Sequence, residues 1–309
     1  MKSEAVRAVF TKTLLALAQK DSRLMAVASD SRGSVTLTDF ADTLPEQFVE
    51  CGIAEQDAIG ISAGLANAGF RPFVCGPACF YSLRSAEQIK VDIAYSHANV
   101  KVIGVSGGVS YGALGASHHA TQDIALMRAI PGIEIFLPAD GPQMEKLTAY
   151  LAKSNEPAYV RMGRGAVATV YEEEAPFVPG KANRLLSGGD AALIACGEMV
   201  YPALEAAKLL QPRGISLSVY DMHTLRPLDE AAVLEAAKTG LVVTVEEHHI
   251  HGGLGGAVAQ VLAQNQPTPM RIMALPDETL YTGTAQEVFA HYGLTKEGIA
   301  QTVLEAMGK

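Results

Sequence analysis

Short, mainly apolar runs bounded by turn residues alternate along this chain with segments of helical period, and that alternation restricts the fold more than any other feature. Val6, Val9, Phe10, Leu14 and Leu17 recur at helical spacing; the apolar run 24–28 follows and ends in the polar Ser29-Asp30-Ser31. The spacing then predicts helices over 55–67, 82–96, 121–129 and 141–153, interleaved with strands over 72–75, 100–105, 133–137 and 158–161. A strand that is apolar on both sides must be covered on both sides. The alternation therefore implies a parallel sheet with helices on each face.

Between Gly165 and Gly189 the pattern lapses, and Tyr171-Glu172-Glu173-Glu174-Ala175-Pro176 and Val178-Pro179-Gly180 supply charge and breakers instead. A second series resumes with strands near 191–196, 215–220, 241–245 and 271–275. The expected fold class is α/β: two doubly wound domains with mainly parallel sheets, at 1–165 and 189–309, joined by a linker over 166–188. A length of 309 residues suits two domains of about 150 each.

Charge narrows the partners. The net charge is −9, from 24 basic and 33 acidic side chains, and the basic residues are scattered rather than gathered into the positive stripe that a phosphate backbone requires. Nucleic acid is not an expected partner. Apolar stretches such as 191–196 fall far short of the roughly 20 residues that span a bilayer, and Glu4 and Arg7 come too early for a signal peptide. No membrane association is expected, and the location expected is cytoplasmic. Cys51, Cys75, Cys79 and Cys196 make no disulfide framework in a chain of this size, and Cys75 with Cys79 lacks a second pair at zinc-ligand spacing. Buried thiols are the expectation.

In open parallel sheets ligands bind at the carboxyl ends of the strands, which directs attention to the loops after Ala28, Val74, Val105 and Leu137. The loop 106–119 is long, glycine-rich and closed by His118-His119. From composition it is either a mobile surface loop with solvated histidines or a binding loop, and the histidines lack a nearby third ligand for zinc. Glu55, within Cys51-Gly52-Ile53-Ala54-Glu55-Gln56, opens a helix, where the dipole stabilises a carboxylate by about 0.3–1 kcal/mol. A plain first-turn glutamate would look the same. His248, His249 and His251 sit in and before a glycine turn, and no metal is expected there.

Several ordered motifs carry more than these residues do singly. Gly52-Ile53-Ala54-Glu55-Gln56, Ser62-Ala63-Gly64-Leu65-Ala66, Gly115-Ala116-Ser117-His118 and the run 124–132 are followed by Thr244-Val245-Glu246-Glu247-His248 and Gly252-Gly253-Leu254-Gly255. With them the chain resembles the transketolases, and more specifically the C-terminal subunit of the split, two-chain transketolases, over essentially its whole length: a pyrimidine-binding domain, the linker, then a transketolase C-terminal domain.

The resemblance implies thiamine diphosphate as cofactor and transfer of a two-carbon ketol unit from a ketose phosphate donor to an aldose acceptor. Glu55 would be the carboxyl that hydrogen-bonds the aminopyrimidine ring. In that role it must hold or share a proton, and Ile53, Ala54, Ile59 and Phe80 could supply the dry surroundings. Asp30 matches the family's aspartate beside the cofactor, and Phe80 an aromatic packed on the pyrimidine. Arg7, Ser34 and Arg164 match residues that hold the sugar phosphate, a group suited to arginine forks, and His118 matches the histidine that contacts substrate.

Two positions depart from the family pattern. Where transketolases usually carry an aspartate before the glycine of Gly115-Ala116-Ser117-His118 and a histidine earlier in the loop, this chain has Leu114 and Ser106. A leucine cannot pair with a sugar hydroxyl, so the donor is expected to differ from an ordinary linear ketose phosphate. The chain also lacks the Gly-Asp-Gly and downstream asparagine that hold magnesium and the diphosphate, since Gly188-Gly189-Asp190 and Ala139-Asp140-Gly141 do not fit. Mg²⁺ and the diphosphate are accordingly expected on a partner, an N-terminal transketolase subunit, in an α2β2 assembly whose sites are shared between chains. Two other readings stay open: the β subunit of a 2-oxo acid dehydrogenase, which shares the domain plan and a Gly-Ile-Ala-Glu-Gln motif, and a non-catalytic paired subunit.

Overall fold

The computed structural model describes residues 3–309, which its contacts divide into two compact units. The first runs to Gly107 and includes Leu126–Phe136 and Asp140–Phe177; the second takes Gly108–Ala125, Leu137–Ala139 and Val178–Lys309.

The first unit is built from β1 (Ser3–Ala5), α1 (Val6–Ala18), β2 (Leu24–Ala28), α2 (Thr38–Thr43), β3 (Phe48–Glu50), α3 (Glu55–Asn67), β4 (Arg71–Pro77), α4 (Ala78–Arg84), α5 (Ala86–Gln88) and β5 (Lys101–Val105), and then β6 (Glu134–Phe136), α7 (Gly141–Leu151), β7 (Ala158–Met162) and β8 (Ala166–Ala168); α6 (Asp123–Ala129), between β5 and β6 in the chain, begins in the second unit and ends in the first. The order β6-β7-β5-β4-β2-β3 runs across its sheet, every pairing parallel. Strands β2, β5 and β7 are buried along their whole length, which is why they read as mainly apolar runs, with Lys101 and Arg161 the charged residues in them, rather than alternating ones. Phe10 and Leu14 of α1, Phe73 of β4, Phe136 of β6 and Leu147 of α7 join one core. Asp140 caps α7 by accepting from the Gln143 amide at 3.0 Å.

The helix expected over 82–96 is three pieces: α4 starting at Ala78, α5, and a π-helical stretch Ile89–Tyr95. Gly76-Pro77 reads as a breaker in the sequence, yet both residues lie in β4. Gly76 is needed there because a Cβ would run into the ring of Tyr81, which lies buried beneath it. The span 166–188 contains two strands, β8 paired antiparallel with β1 and β9 (Asn183–Leu186) paired antiparallel with β11. Both are short and partly exposed, so neither carries an apolar run that periodicity could detect.

The second unit adds β10 (Ala191–Ala195), α8 (Val200–Leu210), β11 (Leu217–Asp221), β12 (Thr224–Arg226), α9 (Glu230–Ala237), β13 (Val242–His249), α10 (Leu254–Asn265), β14 (Met270–Leu275), α11 (Ala285–His291) and α12 (Lys296–Ala306). Its sheet has the order β14-β13-β10-β11-β9, parallel except for β9. Strand β13 runs on to His249, past the expected end at Val245, through the buried Glu246, Glu247 and His248. Burial of these polar groups is possible because each is partnered. Glu246 accepts from the Leu254 and Gly255 amides at 2.7 and 2.8 Å and so caps α10. His248 accepts at Nε2 from the Ala125 amide at 3.2 Å, which leaves its proton on Nδ1, 2.7 Å from the His249 carbonyl. Glu247 accepts from the Val109 amide at 2.7 Å.

Cys75, Cys79 and Cys196 are buried, while Cys51 is half-buried and its thiol is pushed up, first by burial and then by Glu50 and Asp57. No helix among the described residues is long and apolar enough to cross a membrane.

Candidate active site

The parallel register of the first sheet sets the carboxyl ends of its strands side by side. Ala28 pairs with both Glu50 and Cys75, Pro77 with Val105, and Val105 with Met162. The residues that follow these ends are Asp30, Glu55, Phe80, Ser106 and Arg164, so one sheet edge carries five of the expected site residues.

Backbone strain concentrates at that edge. Asp30 and Ser106 adopt left-handed φ values of 53° and 60°, uncommon outside glycine. Glu50 supports the first of them: its Oε1 accepts from the Asp30 amide at 2.7 Å and from Gly52 at 3.3 Å, tying the end of β2 to the turn that leads into α3. Gly52 itself needs a φ of 68°. Gly107, next to Ser106, donates to the Met162 carbonyl at 2.9 Å and lies so close to the Arg161 side chain that no Cβ fits between them. The loops that bear Ser106 and Arg164 are thus held against each other.

Glu55 opens α3 and is buried. Its Oε1 accepts from Arg84 at 2.8 Å, and the Arg84 guanidinium lies 4.0 Å from the centroid of the half-buried Phe80 ring. Of the apolar residues expected to dry this carboxyl, Ile59 is fully buried but Ile53 is 79% exposed and shields nothing within this chain. Behind Phe80, Tyr81 is buried with its hydroxyl 3.0 Å from Ser29 Oγ. On the approach from α1, Arg7 donates to the Ser34 carbonyl, so two of the residues matched to a phosphate role meet directly.

Leu114 and His118 belong to the second unit, as does the whole segment Gly108–Ala125. Leu114 is exposed, and His118 packs edge-on against Tyr111 with its Nδ1 3.0 Å from Ser117 Oγ. His119 is buried, its Nε2 3.3 Å from the Gly112 carbonyl, and burial holds its imidazole below the usual histidine range. Gly112 in turn abuts the Gly283 carbonyl too closely for any side chain. The segment is packed at Gly112 and His119 and exposed at Leu114 and Ser117.

The family model described as transketolase, pyrimidine binding domain, matches residues 2–169, and the one described as transketolase, C-terminal domain, matches 180–299. The chain belongs to the transketolase family. It is 56% identical over 307 residues, 99% of this chain and 98% of the other, to an apulose-4-phosphate transketolase subunit of Phocaeicola vulgatus. It is 35% identical over 301 residues, covering 97% and 94% of the two chains, to a 6-deoxy-6-sulfo-D-fructose transketolase subunit of a Clostridium species. A solved structure described as a split gene transketolase, inactive beta4 tetramer, superposes with a TM-score of 0.89 at 36% identity, over 99% of each chain. The chain is therefore a transferase subunit of the split transketolase type, in a thiamine-diphosphate-dependent family.

Within this transketolase chain, the donor set at the sheet edge fits one end of that cofactor. An aminopyrimidine presents a flat face and ring nitrogens along its rim, and the site offers a half-buried aromatic ring beside a buried carboxyl. Motifs alone do not reveal Arg84 or Glu50. Arg84 lies four residues after Phe80 on α4, the spacing at which a cation reaches an aromatic neighbour, and that is the signal the sequence offers for it. Glu50 carries none, because its work is to bind backbone.

Proposed function

We propose that this chain supplies the pyrimidine-binding half of a two-chain transketolase that exchanges a two-carbon ketol unit between sugar phosphates, with apulose 4-phosphate as the ketose substrate. The observation that carries the substrate is the 56% identity, over nearly the full length of both chains, to a protein named for it. Leu114 and Ser106 agree with that reading, because Leu114 offers a donor sugar no hydrogen bond where the family's usual aspartate would accept one, and the Ser106 hydroxyl reaches less far than the usual histidine.

When bound, thiamine diphosphate supplies the carbanion chemistry that splits and rejoins the carbon chain. The residues of this chain bind and orient. Glu55 would share a proton with a ring nitrogen of the aminopyrimidine through Oε2, which makes no hydrogen bond among the described residues, while Arg84 fixes Oε1. Phe80 would cover one face of that ring, and Asp30 would stand beside the cofactor at the end of β2. Arg7, Arg164 and Ser34 would take the sugar phosphate, and His118 the substrate's polar groups.

The partner would be an N-terminal subunit carrying Mg²⁺ and the diphosphate, in an α2β2 complex. A related split-gene chain is described as an inactive tetramer of β chains. This chain alone would likewise assemble with itself and stay inactive. The test is co-expression with a transketolase N-terminal chain from the same genome, followed by assay with apulose 4-phosphate and with xylulose 5-phosphate. Preference for apulose 4-phosphate supports the proposal; turnover of xylulose 5-phosphate at equal or greater kcat/KM contradicts it.

A further inference from the structure

A cluster apart from the residues named at the sheet edge joins His249 at the end of β13, His251 in the turn after it and Asp277 in the turn after β14. His249 Nε2 lies 3.1 Å from Asp277 Oδ1, His251 Nε2 lies 3.4 Å from Asp277 Oδ2, and the two imidazole centroids are 5.2 Å apart. One ligand atom from each of the three residues falls within 4.8 Å of the others. Two histidines and one carboxylate oxygen at about 2.0–2.2 Å from a tetrahedral ion would stand roughly 3.4 Å from one another; each histidine is already that close to one Asp277 oxygen, His249 to Oδ1 and His251 to Oδ2, and binding would turn the carboxylate so that a single oxygen serves both.

The backbone prepares this arrangement. His249 is in ladder register with Leu275, and the Ile250 amide donates to the Leu275 carbonyl at 2.9 Å, which fixes where the chain carries Asp277 two positions later. Pro276 and the bond from the Glu278 amide to its carbonyl, at 3.0 Å, hold the turn that presents the aspartate. His249 is largely covered, while His251 and Asp277 are exposed, so solvent can reach the open side of the cluster and complete a fourth position with water.

The sequence around these histidines predicts no metal, but the fold adds Asp277 to them, and we propose that His249, His251 and Asp277 form a binding site for a zinc-class divalent ion. Imidazole nitrogen with a single carboxylate suits Zn²⁺, Co²⁺ or Ni²⁺; Mg²⁺ and Ca²⁺ require a shell of oxygens. The site is separate from the Mg²⁺ of the proposed cofactor complex and does not depend on the proposed substrate. Its consequence is local stiffening: the His249 amide donates to the Thr121 carbonyl at 2.8 Å, and Gly252 packs directly on Ala125. An ion that clamps His249 to Asp277 therefore also anchors the segment that carries His118.

The test is a titration of the untagged full-length chain with cobalt(II) chloride, read by visible absorption, with zinc chloride and magnesium chloride as competitors. The expected result is one cobalt per chain with the intense spectrum of a four-coordinate ion, displaced by zinc and untouched by magnesium. His251→Ala and Asp277→Ala, both at exposed positions, should each weaken binding at least tenfold, and zinc should raise the melting temperature of the wild type but of neither variant. Unchanged affinity in both variants, no cobalt spectrum at millimolar concentration, or a thiolate charge-transfer band assigning the ion to cysteine would each overturn the proposal.

Discussion

Arg84 joins Glu55 to Phe80: one guanidinium nitrogen donates to the Glu55 carboxyl at 2.8 Å while the group's centre stacks 4.0 Å from the phenyl centroid. The arginine is about half exposed, so solvent screens the ion pair and its energy is small. Its effect is geometric, holding a carboxyl and an aromatic face in one fixed relation.

Removing that link should loosen the proposed pyrimidine site without unfolding the chain. A surface ion pair and a cation–π contact are each worth up to about 1 kcal/mol, so Arg84→Ala is expected to weaken thiamine diphosphate binding to the two-chain complex by about five- to thirtyfold. Arg84→Lys keeps the charge but not the planar fork and should fall between. Calorimetry on the three proteins measures this; equal affinities would mean that Arg84 plays no part.

Donor preference should respond to Leu114. A carboxylate there restores one hydrogen-bonding group, worth about 0.5–1.5 kcal/mol, so Leu114→Asp should raise kcat/KM for xylulose 5-phosphate by about two- to tenfold and lower it for apulose 4-phosphate. Steady-state kinetics with both ketoses would detect the exchange, and an unaltered ratio would remove Leu114 from the specificity argument.

His223 makes the second unit sensitive to acid. Burial is the main cause that holds its imidazole down to about 4, against opposing contributions from the Lys181 backbone and the Asp229 charge. Because the folded value lies below the unfolded one of about 6.5, the unfolded chain binds more protons between them, and stability falls as pH drops from about 6.5 to about 4. The loss is on the order of 3 kcal/mol. Urea denaturation across that range should show a shallower decline in His223→Asn than in wild type; parallel curves would assign the acid sensitivity to other groups.

Asp140 is the stability test of the first unit. Fully buried, it caps α7 through Oδ1 and accepts through Oδ2 from the Val170 and Tyr171 amides at 2.7 and 2.8 Å. Asp140→Ala removes the cap and the acceptor for two further amides, a loss of about 2–4 kcal/mol. Asp140→Asn should recover little, since its amide nitrogen would face amide donors. A midpoint unchanged from wild type in chemical denaturation would contradict this.

The sheet edge was legible in the sequence because buried parallel strands announce themselves: 24–28, 100–105 and 158–161 each lie within a residue or two of β2, β5 and β7. Motifs then marked Glu55 and the loop carrying His118. Periodicity does not reveal strands β8 and β9, because edge strands that are partly exposed need no apolar run, and it ends β13 early because Glu246, Glu247 and His248 are buried by their amide partners rather than by apolar character. Arg84 and Asp277 stay hidden for a different reason. Each acts with residues far away in the chain, and only the fold brings a guanidinium to Glu55 or a carboxylate to His249 and His251.

Glu55 is proposed to handle the proton that activates thiamine diphosphate in the two-chain enzyme. The most direct measurement of this role is the rate of proton exchange at the cofactor's thiazolium carbon, followed by NMR after quenched incubation in deuterated water, with wild-type and Glu55→Gln complexes. A first-turn carboxylate contributes only about a kilocalorie to its helix, so the variant should stay folded and keep its partner. Exchange slowed by about a hundredfold or more in Glu55→Gln, the range typical of a lost general acid–base group, is the expected result; exchange at the wild-type rate would contradict the claim.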